Sequence, residues 1–137
     1  LLTHQFQILH KLGKFWLLDF SGGVGKSNSS SISFANRNFE LQNYNINPKV
    51  SFLYNLNTKL EAFYEYKNKE NQLENPPIGI MAGETLKMHV LGVNFQYANK
   101  QKFALNANLN LYFNEFNGNL NSPVAFQMLE GLQPGTN

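Results

Sequence analysis

Between Tyr44 and Leu56, apolar or ring-bearing residues occupy every even position: Tyr44, Ile46, Pro48, Val50, Phe52, Tyr54 and Leu56. The odd positions hold Asn45, Asn47, Lys49, Ser51, Leu53 and Asn55, polar but for Leu53. Side chains alternate between the two faces of a β-strand, so this run predicts a strand with one apolar and one polar face. Strands in soluble domains usually stop at about five or six residues. A strand of about ten residues with no charge on its apolar face suits a bilayer-spanning barrel strand.

The alternation recurs. From Lys59 to Lys67, Leu60, Ala62, Tyr64 and Tyr66 share one face, while Lys59, Glu61, Phe63, Glu65 and Lys67 share the other. From Gln101 to Phe113 the apolar set is Phe103, Leu105, Ala107, Leu109, Leu111 and Phe113. Opposite them lie Lys102, Asn106, Asn108 and Asn110, with Ala104 and Tyr112 as exceptions. From Trp16 to Val24 one face carries Trp16, Leu18, Phe20, Gly22 and Val24, and the other carries Asp19 and Ser21. A weaker strand, Thr3 to Leu12, has Phe6, Ile8 and Leu12 on one side with His4 and His10. In Leu86 to Tyr97 the parity changes. Leu86, Met88 and Val90 fall on one face, and Leu91, Val93, Phe95 and Tyr97 on the other. That switch predicts either a β-bulge near Val90 to Gly92 or a strand partly buried on both faces.

Short links fall at Gly13-Lys14, Asn57-Thr58 and Asn99-Lys100, where Gly and Asn tolerate the positive φ of tight hairpins. Long links span Lys26 to Asn43, Asn68 to Gly83 and Asn114 to the end. This alternation of short and long connections is that of outer-membrane-type barrels, and a soluble meander also allows it.

Composition changes the picture little. The chain has 137 residues, enough for a single domain. Mean hydropathy is -0.35, but half of a barrel strand is polar, so such a chain escapes a hydropathy plot. No apolar run reaches the roughly 20 residues of a membrane helix. The net charge of +2 is dispersed, giving no nucleic-acid footprint. The absence of cysteine excludes disulfides and thiolate metal sites. Aromatic residues, 14 % of the chain, cluster at both strand ends. Phe15, Trp16, Tyr54, Tyr97 and Phe103 flank the short turns, while Tyr44, Tyr66, Phe113 and Phe116 approach the long links. Amphipathic rings take such positions at membrane interfaces. The alternative is the aromatic core of a β-sandwich.

Chemistry-bearing motifs are sparse. Ser21-Gly22-Gly23-Val24-Gly25-Lys26-Ser27 resembles the deviant Walker A loop of the MinD/ParA ATPases, whose amides cradle phosphates. Ser21 replaces the signature lysine, and Asn28 to Ser33 is poor helix sequence. The competing reading is a glycine-rich strand end running into an exposed serine loop. His4, His10 and His89 lack metal-binding spacing, and Glu61 and Glu65 sit beside Lys59 and Lys67 as ordinary solvated charges. No cofactor, metal or catalytic residue is therefore assigned, and an enzyme is not expected. Ser122 to Leu132 has another texture: Ser-Pro opens it, Val124, Phe126, Met128 and Leu129 are apolar, and Gly131 suits a cap. It predicts a short helix folded over the barrel mouth.

The run Asn45-Ile46-Asn47-Pro48-Lys49-Val50-Ser51-Phe52 resembles the C-terminal barrel region of large Bacteroidota outer-membrane proteins. So do Ala98-Asn99-Lys100 with Phe103, and Asn119 to Gly135 with its Ser-Pro-Val-Ala and Leu-Glu-Gly-Leu-Gln-Pro-Gly. The likeness covers most of Tyr44 to Asn137. It implies an outer-membrane β-barrel and carries over no catalytic or ligand residue.

The expectation is an all-β, antiparallel up-and-down meander of about six strands over residues 1–137, a segment of a transmembrane barrel. The smallest such barrels have about eight strands, and Gln133-Pro134-Gly135-Thr136-Asn137 reads as a loop leading into another. The faces expected to meet lipid comprise Trp16, Leu18, Phe20, Val50, Phe52, Tyr54, Leu60, Tyr64, Leu105, Leu109 and Leu111. Those expected to meet a lumen comprise Asp19, Lys49, Ser51, Glu61, Glu65, Asn106, Asn108 and Asn110. The expected role is structural, transport or surface docking in the outer membrane of a Gram-negative bacterium. The expected partners are membrane lipid and other outer-membrane proteins, with no nucleic acid. The alternatives are a soluble β-sandwich binding module and, more weakly, nucleotide binding through Gly22 to Ser27.

Overall fold

A computed structural model describes residues 2–30, 32–33, 38–72, 83–99, 103–121 and 125–129. Six strands form one antiparallel sheet in chain order: β1 (Leu2–Leu12), β2 (Trp16–Ser29), β3 (Phe39–Asn55), β4 (Thr58–Asn71), β5 (Thr85–Asn99) and β6 (Phe103–Asn117). A single helical turn, α1 (Ala125–Leu129), follows. Each strand pairs with its sequence neighbours, and the sheet is open, with β1 and β6 at its edges.

The strands extend past the alternating runs at the long-link end. β2 continues five residues beyond Val24, and β3 begins five before Tyr44. These extensions are rich in Ser, Asn and Gln, which periodicity alone does not mark as strand. Cross-strand pairing holds them, as Lys26 faces Gln42 and Ser29 faces Phe39.

At the short-turn end, Gly13 adopts φ +65, the left-handed conformation for which glycine has no steric penalty. The β3–β4 turn works otherwise. Among the described residues no non-glycine residue has positive φ, so Asn57 does not supply one. Instead the Asn57 backbone N–H donates to Asn55 Oδ1 at 2.8 Å, and the register shifts between Leu53 and Asn55. An Asx turn with an adjacent bulge thus replaces the positive-φ hairpin. At the β5–β6 turn, Lys100 lies outside the described residues.

Pairing of β5 is continuous with β4 from Thr85 to Tyr97 and with β6 from Thr85 to Asn99, so no bulge occurs near Val90 to Gly92. The parity switch marks burial on both faces. Leu86 and Met88 point to the otherwise polar face, where they form a small core with Leu41 and Met128. Phe39, Phe116 and Leu129 pack against it. The helical turn thus folds over the long-link end of the polar face, as its apolar residues predict. Phe116 belongs to this core rather than to an aromatic belt, because it shares the face of its cross-strand partner Leu86. The proposed opening Ser122 and cap Gly131 lie outside the described residues.

Leu86 is fully buried, at 0 % exposure. Leu86→Ala should lower stability by about 2–5 kcal/mol, the usual range for emptying a buried leucine site. Urea unfolding in detergent, followed by circular dichroism, measures it.

Candidate functional site

Two opposed faces are the candidate site, and register assembles both. On one, Trp16, Phe52, Leu60, Phe95 and Ala107 form a cross-strand row, and Leu18, Val50, Ala62, Val93 and Leu109 form the next. Further along lie Phe20, Pro48, Leu91 and Leu111, then Ile46, Tyr66, His89 and Phe113. Tyr64 and Leu105 join this face through Leu91 and Tyr97, and Tyr54 through ring contact with Phe52 at 6.4 Å. Every residue expected to meet lipid therefore stands on one face. Asp19, Lys49, Ser51, Glu61, Glu65, Asn106, Asn108 and Asn110 all stand on the other.

The apolar face is bare. Leu109 is 63 % exposed, and Trp16, Leu18, Phe20, Leu60, Leu91, Val93, Leu105 and Leu111 are exposed as well. Small side chains at Ala62 and Pro48 leave a shallow trough of about 560 Å³ across its middle, lined also by Leu18, Val93 and Leu109. Soluble monomers rarely expose a contiguous apolar patch beyond a few hundred Å². No Asp, Glu, Lys or Arg interrupts this face on β2 from Trp16 to Val24, on β3 from Tyr44 to Tyr54 or on β6 from Phe103 to Phe113.

Rings border the face at both ends. Near the short turns Phe52 contacts Trp16, at 4.7 Å between centroids, and Phe15, at 6.2 Å. Near the long links the Tyr44 and Tyr66 rings are 5.7 Å apart, and His89 lies 4.8 Å from Tyr66. His89 is a strand residue, its Nδ1 hydrogen-bonded to the Tyr64 hydroxyl at 2.7 Å. Charges begin only beyond these rings, with the Lys26–Glu40 ion pair, Glu70, and the cross-strand neighbours Lys87 and Glu115.

The polar face is knitted together. The Glu61 carboxylate accepts from Ser51 Oγ at 3.1 Å and Asn94 Nδ2 at 3.2 Å, and pairs with Lys59 at 2.8 Å. Asp19 accepts twice from Gln7 Nε2 at 3.0 Å and faces Lys49 at 3.5 Å. Lys67 pairs with Glu65 at 2.9 Å. Mutual shielding leaves Ser51 only 2 % exposed, whereas Leu109 on the apolar face is largely bare. On this face the Phe63 ring lies across Gly92: a Cβ there would come within 2.2 Å of two ring carbons. An aromatic ring covering a strand glycine is a register-pinning device of curved sheets.

Gly22 to Ser27 form no phosphate loop. They lie inside β2 and pair with β3 throughout, and β1 covers them as far as Lys26. Their backbone groups close ladders on either side, and among the described residues no helix follows to offer its N-terminal amides to an anion. The strand continues through the serines as far as Ser29, so the exposed loop begins later than the sequence suggests. Among the described residues no three His, Asp or Glu side chains gather as a metal centre, and no helix is long and apolar enough to cross a membrane. No protein-family model, curated protein or solved structure matches the chain.

Two outcomes follow from this geometry. Gly92→Ala should destabilise the sheet by about 1–3 kcal/mol through overpacking, and Phe63→Ala in the same chain should restore part of that loss. A double-mutant cycle by urea unfolding tests it. Titration with ATP or GTP, followed by intrinsic fluorescence, should show no saturable binding. Lys26→Ala should leave that result unchanged.

Proposed function

We propose that this sheet is part of the wall of an outer-membrane β-barrel, its apolar face toward lipid and its polar face toward a lumen. The observation carrying this reading is the uncharged apolar face, bordered by rings and then by charges. On β3 the span from Tyr44 to Tyr54 covers about 33 Å along the strand. At a tilt near 45° it rises about 23 Å, close to the apolar band of about 25 Å on such barrels.

A stagger supports the tilt. The Trp16 row reaches β6 at Ala107, yet the apolar run on β6 begins four residues earlier, at Phe103. At the other end the Val24 row reaches β6 at Glu115, and the apolar run stops two residues short, at Phe113. The apolar window thus slides by up to about one residue per strand from β2 to β6, as a level band does when tilted strands with a barrel's shear cross it. The open edges of β1 and β6 fit the same reading. Unpaired backbone groups are not tolerated in hydrocarbon, so further strands close the ring. Transport of a solute or docking of a surface partner would then occur through the lumen and the long links. The resemblance to Bacteroidota outer-membrane proteins points to the same class of molecule.

A lipid-phase photolabel or quencher on the full-length protein in bilayers tests the assignment. Leu109, Phe52 and Tyr64 should report hydrocarbon, and Asn108, Asn110 and Glu65 should report water. Leu109→Arg should cost about 2–4 kcal/mol and impair assembly, while Asn108→Arg should be tolerated. Equal labelling of both sets, with recovery as a soluble monomer without detergent, would favour a β-sandwich whose apolar face meets a second sheet.

A further inference from the structure

Strand pairing sorts charges that are scattered along the sequence. Residues 1–18, 41–60 and 85–114 contain no Asp or Glu. The antiparallel meander brings Leu12, Asn55 and Asn99, where β1, β3 and β5 stop, to one end of the sheet. Going inward from that end, the first carboxylates are Asp19 and Glu61, tied to Lys49 at 3.5 Å and to Lys59 at 2.8 Å. Lys14, in the β1–β2 turn, is exposed and has no ion pair among the described residues. The opposite end is mixed in sign. There Lys26 pairs with Glu40, and Lys87 faces Glu115 across the ladder.

Lys14 also stands at the border of the apolar face. Phe15 and Trp16 follow it, and both rings contact Phe52. Phe15, Trp16 and Tyr54 are exposed. The Phe15 carbonyl accepts the Leu53 N–H at 2.7 Å, which ties the turn to β3. A hollow of about 700 Å³ adjoins the turn, lined by Lys14, Phe15, Tyr54, Thr58 and Lys59 with further residues of β3 to β6. Among its described lining residues there is no carboxylate. A lysine stem can lie along such rings while its ammonium reaches the polar layer beyond them.

We propose that this end of the sheet binds the headgroup of an anionic phospholipid, with Lys14 against the phosphate and the Phe15, Trp16 and Tyr54 rings against the acyl chains. The proposal rests on the barrel reading, because it needs lipid at the apolar face. A phospholipid meets both features at once, apolar chains beside the rings and negative charge at the turn. Its phosphodiester carries one charge, which one unpaired ammonium matches. A phosphatidylglycerol headgroup lacks the cationic amine that would repel Lys14, and the Thr58 hydroxyl can bond its glycerol. The other rim, where acids accompany the lysines, has no such preference, so the attraction marks one leaflet.

Fluorescence quenching of the full-length protein in bilayers is the test, with chain-brominated phosphatidylglycerol and phosphatidylcholine as probes. Trp16 is the one tryptophan of the 137 residues, so the emission that Trp16→Phe removes reports this rim. Phosphatidylglycerol should be preferred by about fivefold, the worth of one lysine near an anionic surface. Lys14→Gln should abolish the preference and Lys14→Arg should keep it. Lys87→Gln, which removes the same charge at the far end, should leave it unchanged. Salt at about 1 M, where the screening length is about 3 Å, should erase it. Equal quenching by the two lipids, indifference to Lys14→Gln, or an equal loss in Lys87→Gln overturns the proposal and leaves the barrel reading standing. Displacement of the anionic lipid by soluble glycerol phosphate makes the ligand a free phosphate ester and overturns the lipid assignment. Quenching by neither lipid overturns the barrel reading and this proposal with it.

Discussion

Everything in this sheet depends on pairing register. In an antiparallel ladder a slip of one residue turns every side chain of a strand to the opposite face. Here each pairing keeps one register over its length, except for the shift between Leu53 and Asn55 beside a turn. The row from Trp16 to Ala107 therefore stays wholly apolar, while the neighbouring Asp19, Lys49 and Asn110 stay on the far side. Devices that hold register sit on the polar face. Phe63 lies over Gly92, and Glu61 ties Ser51 of β3 to Asn94 of β5. Both devices are built on β4: Phe63 fixes it against β5, and Glu61 joins its two neighbours.

Two features of the open sheet ask for the same surroundings. Its apolar face has no cover among the described residues, and its edge strands each leave one row of backbone groups without a strand partner. Water is a poor environment for the first, and an exposed long edge invites uncontrolled pairing. A bilayer with a closed ring answers both, which is why the proposed barrel explains more of the structure than a soluble module does.

The polar face is divided along its length. Ion pairs and amide bonds occupy its middle, and an apolar core under α1 closes the long-link end over β5. This core accounts for Leu86 and Met88, two apolar residues on an otherwise polar face. Glu84, 1 % exposed at the edge of that core, accepts the Asn119 N–H through Oε1 at 3.3 Å and so ties β5 to the segment leading into α1.

Two-residue alternation by itself determined the strand class, the six strands and the membership of both faces, because side-chain direction along a strand is a local property. Short-range chemistry also marked the Gly13 turn and the α1 segment. What it left open or misplaced needed neighbours distant in sequence. Gly22 to Ser27 have the spacing of a phosphate loop, and only their pairing with β3, and with β1 as far as Lys26, shows them to be strand. The parity switch in β5 has the pattern of a bulge, and only Met128 packing on Leu86 and Met88 shows burial on two faces. Phe116 has the position of a belt residue, and only its cross-strand partner Leu86 reveals which side it serves.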